Sequence, residues 1–369
     1  MCTIIHHISS YIKGLLFLAI MVLNLGIHQV CAKPDFDISE IIDPTNPYKI
    51  ESEEKFVEVF DAINYFFELE WFYPDDVISL SLEKDLDMST HEFVPIKVNR
   101  DNESVIVQFE GNGHTIRNLT FSGFETNINY SGLIPNMGKG SFVKNINFED
   151  INVTLPSKSC GIIVGKIGGS SEVSNCNIRG KVTYTNENAK CLGGVIGEIT
   201  TSNFVLKDIA VDLEYDVKYP TVSSMGGVVG YFNHPSSLEI SNIVNRSKNL
   251  EIDEASLGLG GLFGFIQVPS VIKIHDCSNY MNIKAYSPMV GGIVGNYSNP
   301  DLEHYINELY NCTNAGAIYS DYGNVGGIVG ISEFVKISNC VNIGDISSNN
   351  ASLAKDGEIG GIGGIVGTY

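Results

Sequence analysis

Between residues 52 and 70 the apolar positions fall three and four apart, at Phe56, Val59, Phe60, Ile63, Phe66 and Phe67. That spacing lines one face of an α-helix, and Ser52 stands where a cap belongs. Residues 77–82 (Val-Ile-Ser-Leu-Ser-Leu) change to strict alternation, the period of a half-buried strand. From residue 104 a longer rhythm takes over. Gly161-Ile-Ile-Val-Gly165, Gly193-Gly-Val-Ile-Gly197, Gly226-Gly-Val-Val-Gly230 and Gly260-Gly-Leu-Phe-Gly264 are followed by Gly291-Gly-Ile-Val-Gly295, Gly326-Gly-Ile-Val-Gly330 and Gly363-Gly-Ile-Val-Gly367. Their closing glycines step by 32, 33, 34, 31, 35 and 37 residues, and Ser131-Gly-Leu-Ile-Pro135 reads as a degenerate earlier copy.

A second anchor alternates with the glycine blocks. It is an Asn or Asp before an apolar residue: Asn118-Leu119, Asn145-Ile146, Asn175-Cys176, Asp208-Ile209, Asn242-Ile243, Asp276-Cys277, Asn311-Cys312 and Asn339-Cys340. Asx side chains bond their own backbone two residues on and so form a corner ahead of a strand. Two anchors per period predict at least two short strands per coil. The whole reads as an all-β fold, a right-handed parallel β-helix of about eight coils and roughly 40 Å of stack. An amphipathic helix over 52–70 would close the first coil against water. The segments are then a signal peptide (1–32), an exposed leader (33–50), an N-terminal cap of helix and first strands (51–103) and the repeats (104–369).

Like positions in successive coils stand about 4.8 Å apart. The column after the Asx anchor (Leu119, Ile146, Cys176, Ile209, Ile243, Cys277, Cys312, Cys340) is small or apolar, as an inward position should be. Two residues further on, Asn245, Asn279, Asn314 and Asn342 predict an asparagine ladder at an inner corner, since stacked amides bond one another along the axis. Three residues past the anchor the column reads Glu149, Arg179, Asp212, Arg246, and five past it Lys181, Glu214, Lys248. Opposite charges on adjacent strands contribute roughly 0.2–1 kcal/mol per pair, so these columns predict an outward charge ladder that fixes register.

The string Phe109-Glu-Gly-Asn-Gly-His-Thr-Ile-Arg-Asn-Leu119, then Gly132-Leu-Ile, then the Gly-Gly-Ile-Val-Gly blocks with Asn-Cys between them, closely resembles the GLUG-motif repeats. The lead-in is similar too, with Leu82-Glu-Lys-Asp-Leu-Asp-Met88 and Phe93-Val-Pro-Ile96 after the helix. The resemblance covers about residues 50–369. It implies a solenoid of the kind found in large surface and secreted proteins, including adhesin-like proteins and some immunoglobulin A peptidases. The peptidase activity of such relatives belongs to a metal-binding catalytic domain. The sequence has no His-Glu-x-x-His pattern, so that activity does not carry over with the repeat.

Composition adds an exported setting. Lys13 precedes an apolar run from Leu15 to Leu25, and Val30-Cys31-Ala32 offers small residues where a signal peptidase reads. The run is short for a membrane span, and no second such stretch follows. The formal charge of −20 repels nucleic acid and anionic lipid. The eight histidines are scattered without metal-ligand spacing, and no cofactor motif occurs. Asp212, Glu214 and Asp216 share a strand face and could hold a cation or act as acid and base, but Arg179, Lys181, Arg246 and Lys248 flank them and favour structural pairing.

Cys160, Cys176, Cys191, Cys277, Cys312 and Cys340 remain after the signal. Axial neighbours at about 4.8 Å exceed the roughly 3.8 Å between Cβ atoms that a disulfide prefers, so Cys277, Cys312 and Cys340 read as a buried thiol ladder. Cys160 and Cys191 are offset by one position, which leaves a bridge open. Sequons stand at Asn102, Asn118, Asn129, Asn152, Asn245, Asn296, Asn311 and Asn350, and those on outer turns could carry glycans, whereas the ladder places Asn245 inside.

The functional expectation is a secreted or cell-surface, adhesin-like module without catalysis, whose faces meet a protein or glycan. The rivals are a β-helix polysaccharide lyase or hydrolase, or a non-catalytic part of a larger surface protein. A last coil ending at Thr368-Tyr369 without a cap predicts end-to-end association.

Overall fold

The computed structural model describes residues 37–72, 75–97, 104–122, 129–201, 203–219, 221–233, 237–268, 271–299, 307–321, 323–348 and 361–368. The signal expected over 1–32 lies outside them. The described residues belong to one compact unit, Phe36–Tyr369. It is a mostly β, parallel-stranded solenoid of about eight turns with one α-helix near its start.

The helix runs Glu53–Glu68, and Ser52 accepts from the Lys55 N–H at 3.2 Å. Glu53 and Glu54 place negative charge in the first turn, where the helix dipole favours it. Its apolar face (Phe56, Val59, Phe60, Ile63, Phe66, Phe67) is buried over the first coil. Phe93 packs into that face, stacked on Phe56 and edge-on to Phe60, both at 4.9 Å. The buried Asn64 amide donates to the Pro95 carbonyl at 3.1 Å and accepts from the Lys97 N–H at 2.7 Å. These contacts tie the helix to the chain that begins the stack.

The expected leader is different. Ile41 and Ile50 are fully buried, and Tyr48–Ile50 pairs in parallel with Val77–Leu82. The Ser79 N–H donates to the Ile41 carbonyl at 2.8 Å. Residues 41–50 therefore join the fold instead of preceding it. Ile41, Ile42 and Ile50, set among polar residues and prolines, supply the apolar surface that draws this segment in.

The described strands form four parallel sheets of 16, 8, 8 and 4 strands. Equivalent anchors are in register: Cys176 pairs with Ile146 on one side and Ile209 on the other. The inner columns make one continuous core, with Phe109, Phe148, Ile178 and Val211 at most 1% exposed.

All eight Asx anchors adopt left-handed backbone, with φ between 49° and 57°. The corner is thus made by the backbone conformation, which Asn and Asp tolerate better than other L-residues. At Asn145, Asn175, Asp208 and Asn242 it kinks the strand without ending it, whereas at Asn118, Asp276, Asn311 and Asn339 the strand stops at the anchor. Phe142–Leu155, Glu172–Tyr184 and Val205–Val217 each run through their anchor as one long strand, so these coils do not break there into the expected short pieces.

The cross-section changes at Asn245. Up to that point the inner position after the anchor is apolar (Phe148, Ile178, Val211) and the long strand continues flat. At Asn245 the strand stops, and its Oδ1 accepts from the Ser247 N–H at 3.0 Å, turning the chain. A new strand, Asn249–Ile252, then founds the four-stranded sheet that continues through Asn282–Ala285, Ile318–Ser320 and Ile346–Ser348. One asparagine per coil adds a side to the prism.

The block Gly260-Gly261-Leu262-Phe263-Gly264 shows why glycine recurs. A Cβ on Gly260 would overlap the Phe263 carbonyl, and one on Gly261 would overlap the Asn279 amide. One on Gly264 would meet the Gly230 carbonyl of the preceding coil. Three close approaches, to its own turn, to the ladder and to the neighbouring coil, leave no room for a side chain.

Candidate functional site

The ladders divide into an inner and an outer set. Inside, Asn279 Nδ2 donates to Asn314 Oδ1 at 2.9 Å, and Asn314 Nδ2 to Asn342 Oδ1 at 2.7 Å. The same amides donate to the Met281, Gly316 and Gly344 carbonyls. Asn245 departs from the chain of amides: its Nδ2 donates to the Gly261 carbonyl at 2.7 Å. In the two preceding long-stranded coils a tyrosine does equivalent work, with Tyr184 and Tyr215 hydroxyls donating to the Gly193 and Gly227 carbonyls at 2.8 and 2.7 Å.

All six described cysteines are free, so no bridge joins Cys160 to Cys191. Cys160 bonds Ser131 Oγ instead, at 3.2 Å. Burial pushes the Cys160, Cys176 and Cys191 thiols up to about 12. Cys277 and Cys312 are fully buried and Cys340 partly so. Cys312 Sγ donates to the Tyr310 carbonyl at 3.3 Å, and the neighbouring Cys277 raises the Cys312 thiol well above its ordinary value.

Outside, the anchor side chains bond from coil to coil, not to their own backbone. Asn175 donates to Asn145 at 2.7 Å, Asn242 to Asp208 at 2.9 Å and Asn311 to Asp276 at 3.2 Å. A parallel row starts two residues on, where Asn177 donates to Asn147 at 2.6 Å.

The charge columns need correction. A register shift between Ile178 and Gly180 inserts Asp150, itself at φ 52°, so Arg179 meets Asp150 at 3.4 Å. Glu149 turns back to Arg117 at 2.9 Å. Arg179 and Asp212 are register partners, yet among the described residues no ion pair joins them. Lys181 does reach Glu214 at 3.1 Å, and also Asp216 at 3.5 Å. Arg246 and Lys248 lie past the turn at Asn245 and make no ion pair among the described residues. Lys218, 2.7 Å from Asp216, holds that carboxyl below the usual range, with help from Lys181.

The long strands therefore present one broad outer surface. On Phe142–Leu155 and Glu172–Tyr184 it carries two pairs of asparagine amides, Asn145 with Asn175 and Asn147 with Asn177, and across these strands and Val205–Val217 it carries Asp150, Arg179, Lys181, Glu214 and Asp216. Arg179 is 61% and Glu214 72% exposed, so their charges face water and any docking partner.

A second polar group was not singled out in the sequence. His275 stacks flat on Tyr310 (4.8 Å, 9°), and its Nδ1 is 2.6 Å from Asp276 Oδ2. The adjacent His-Asp pair at an outward kink, with a tyrosine one period later, was the available signal. Among the described residues, no group of three or more His, Cys, Asp or Glu could hold a metal ion, and no helix is long and apolar enough to cross a membrane. Asn245 is buried and bonded, which rules out a glycan there in this fold, while Asn102 and Asn350 lie outside the described residues.

Fold and surface together define a parallel β-solenoid with a ladder-built outer face. No family model matches the chain. A stretch of 108 residues is 30% identical to halomucin from Haloquadratum walsbyi, covering 29% of this chain and 1% of that protein. The chain thus spans a very small part of the curated relative it matches. A crystal structure described as that of a putative immunoglobulin A1 protease from Bacteroides ovatus superposes with a TM-score of 0.52 at 17% identity, over 89% of this chain and 85% of that one. This likeness is one of fold. It also corrects the expectation of a chain without catalysis, because a coil stack of this kind occurs in a protein described as a protease.

Proposed function

We propose that this chain is an exported, surface-associated solenoid of the GLUG-repeat kind that docks a protein or glycan through the outer face of residues 142–217. The carrying observation is the breadth of that face. Three unbroken strands hold two asparagine pairs and a set of exposed charged groups in a fixed register, an arrangement suited to multivalent polar contacts. The stretch shared with halomucin supports a cell-surface setting, as does the leader-like pattern of residues 1–32.

Retention of the full chain on a panel of polysaccharides and on cell surfaces tests this reading. Replacing Arg179 and Lys181 together by Ala should abolish retention while moving the melting temperature little, because water screens exposed ion pairs. Undiminished retention of that variant would remove the face from consideration. The fold shared with the Bacteroides ovatus protein favours a second reading, peptide-bond hydrolysis. Incubation with immunoglobulin A1, followed by mass analysis of the products, decides it: defined fragments establish the second reading, and an intact substrate counts against it.

A further inference from the structure

Two successive coils part after Val211. Val205–Val217 pairs with Glu172–Tyr184 of the coil before it along its whole length, as far as Val217 opposite Tyr184. With the coil after it, the pairing ends at Val211 opposite Asn245. That coil turns away, and its strand Asn249–Ile252 stands at the end of a different sheet, paired only with the coil that follows. Residues 212–217 therefore keep a strand on one side and, among the described residues, have none on the other.

The bonds at the parting point show which backbone groups are left over. The Val211 carbonyl accepts from the Arg246 N–H at 2.7 Å, and the Leu213 N–H donates to Ser247 Oγ at 2.8 Å. Odd-numbered residues here thus point their polar groups at the next coil. Even-numbered ones point back, as the Lys218 N–H does in donating to the Tyr184 carbonyl at 3.0 Å. The Leu213 carbonyl, both backbone groups of Tyr215 and the Val217 N–H accordingly face the side that has no strand. Side chains record the same missing layer. Val182 and Tyr184, the register partners of Tyr215 and Val217, are 0% and 1% exposed, whereas Tyr215 and Val217 are only half-buried.

We infer that the Leu213–Val217 edge takes an extended segment of a partner protein as an added β-strand, one that alternates apolar and basic residues. Backbone N–H and C=O groups at strand spacing match another peptide backbone, and alternate side chains then set the choice of partner. Apolar residues of the segment cover Tyr215 and Val217. Its basic residues fall on the outward side, beside Glu214 and Asp216, and extend the column that reads Lys181 and then Glu214 on successive coils. The inference goes beyond the outer face proposed above, because the contacts are made by an edge of backbone and not by the side chains of that face.

Residue-resolved hydrogen exchange of the full chain tests this, with a peptide alternating Lys and Val as the probe. The Tyr215 and Val217 amides should exchange fast in the chain alone and slow down when the peptide is added; no slowing overturns the inference. Amides already protected in the monomeric chain would mean that the chain covers its own edge, and protection that rises with chain concentration would assign the edge to a second copy. Either result overturns the inference. Val217→Pro removes an N–H that bonds nothing in the fold, a place where an edge tolerates proline. It should weaken peptide binding about tenfold, the size of one backbone bond, with little change in melting temperature. Should that variant not fold, N-methylation of the peptide gives the same reading on the unaltered protein, and unchanged affinity sinks the added strand. Equal binding of a peptide alternating Glu and Val would overturn the basic partner.

Discussion

Single residues decide the shape of each coil. Asn314 shows how much one amide holds: fully buried itself, it accepts from the buried Asn279 and donates to the Gly316 carbonyl and to the half-buried Asn342. Asn314→Ala should lower stability by on the order of 2 kcal/mol, because it strands the buried Asn279 amide and removes a fully buried, hydrogen-bonded side chain. The denaturant midpoint measures this. Gly261 is coupled to the same ladder, since its Cβ would overlap the Asn279 amide. Gly261→Ala should therefore cost less in an Asn279→Ala background than alone, and equal costs would uncouple the two. Much of this was legible. The asparagine column and the glycine spacing can be written down from the sequence, because stacking turns a period into a neighbour list. The conformation of the Asx anchor was not, since an Asx side chain favours both a turn of its own and left-handed backbone, and only the neighbouring coil selects between them.

At the scale of the strand, burial governs the thiols. Cys160, Cys176 and Cys191 sit on strands whose neighbours exclude water, which raises each thiol to about 12. A thiol raised above its unfolded value, about 8.5, contributes stability that is complete below that value. It is lost as pH rises toward the folded one. The midpoint of unfolding should accordingly fall between about pH 8.5 and 12, and fall less when all three are replaced by Ala. The same burial predicts that a thiol reagent at neutral pH labels Cys340 before the other described cysteines, which a timed quench with peptide mapping would check. Strand length was only partly legible. Phe148, Ile178 and Val211 against Asn245, Asn279, Asn314 and Asn342 marks where long strands give way to turns. The extra residue at Asp150 shifts the charge register, however, and no column count reveals an insertion inside a strand.

For the molecule as a whole, acid is the more revealing stress. Carboxylates at several outer corners are held below their ordinary range. Asp85 is held by the Thr115 N–H and His114, Asp87 by Asn118 and Ser89, and Asp276 by His275 and Asn311. Groups depressed in this way contribute stability above their unfolded value, about 3.9, and lose it as pH falls through the folded values. The melting temperature should stay level from about pH 7 to 5 and decline below about pH 4. A decline that begins near pH 6 would point to histidines instead. The coil stack was the most legible feature, because a repeated period leaves few alternatives. Residues 41–50 were the least, since a few isoleucines in a polar stretch declare themselves only once there is a strand edge to join.

The switch at Asn245 bears on how such a protein can change its length. Duplicating the segment from Ile243 to Asp276 within the later, four-sided stretch would add a storey whose floor and ceiling both match its new neighbours. Moving a three-sided unit such as Cys176–Asp208 into that stretch would leave a strand without its opposite number and a turn facing a flat wall. Recombination between repeats is thus free to extend the prism on either side of this junction, but not to shuffle units across it.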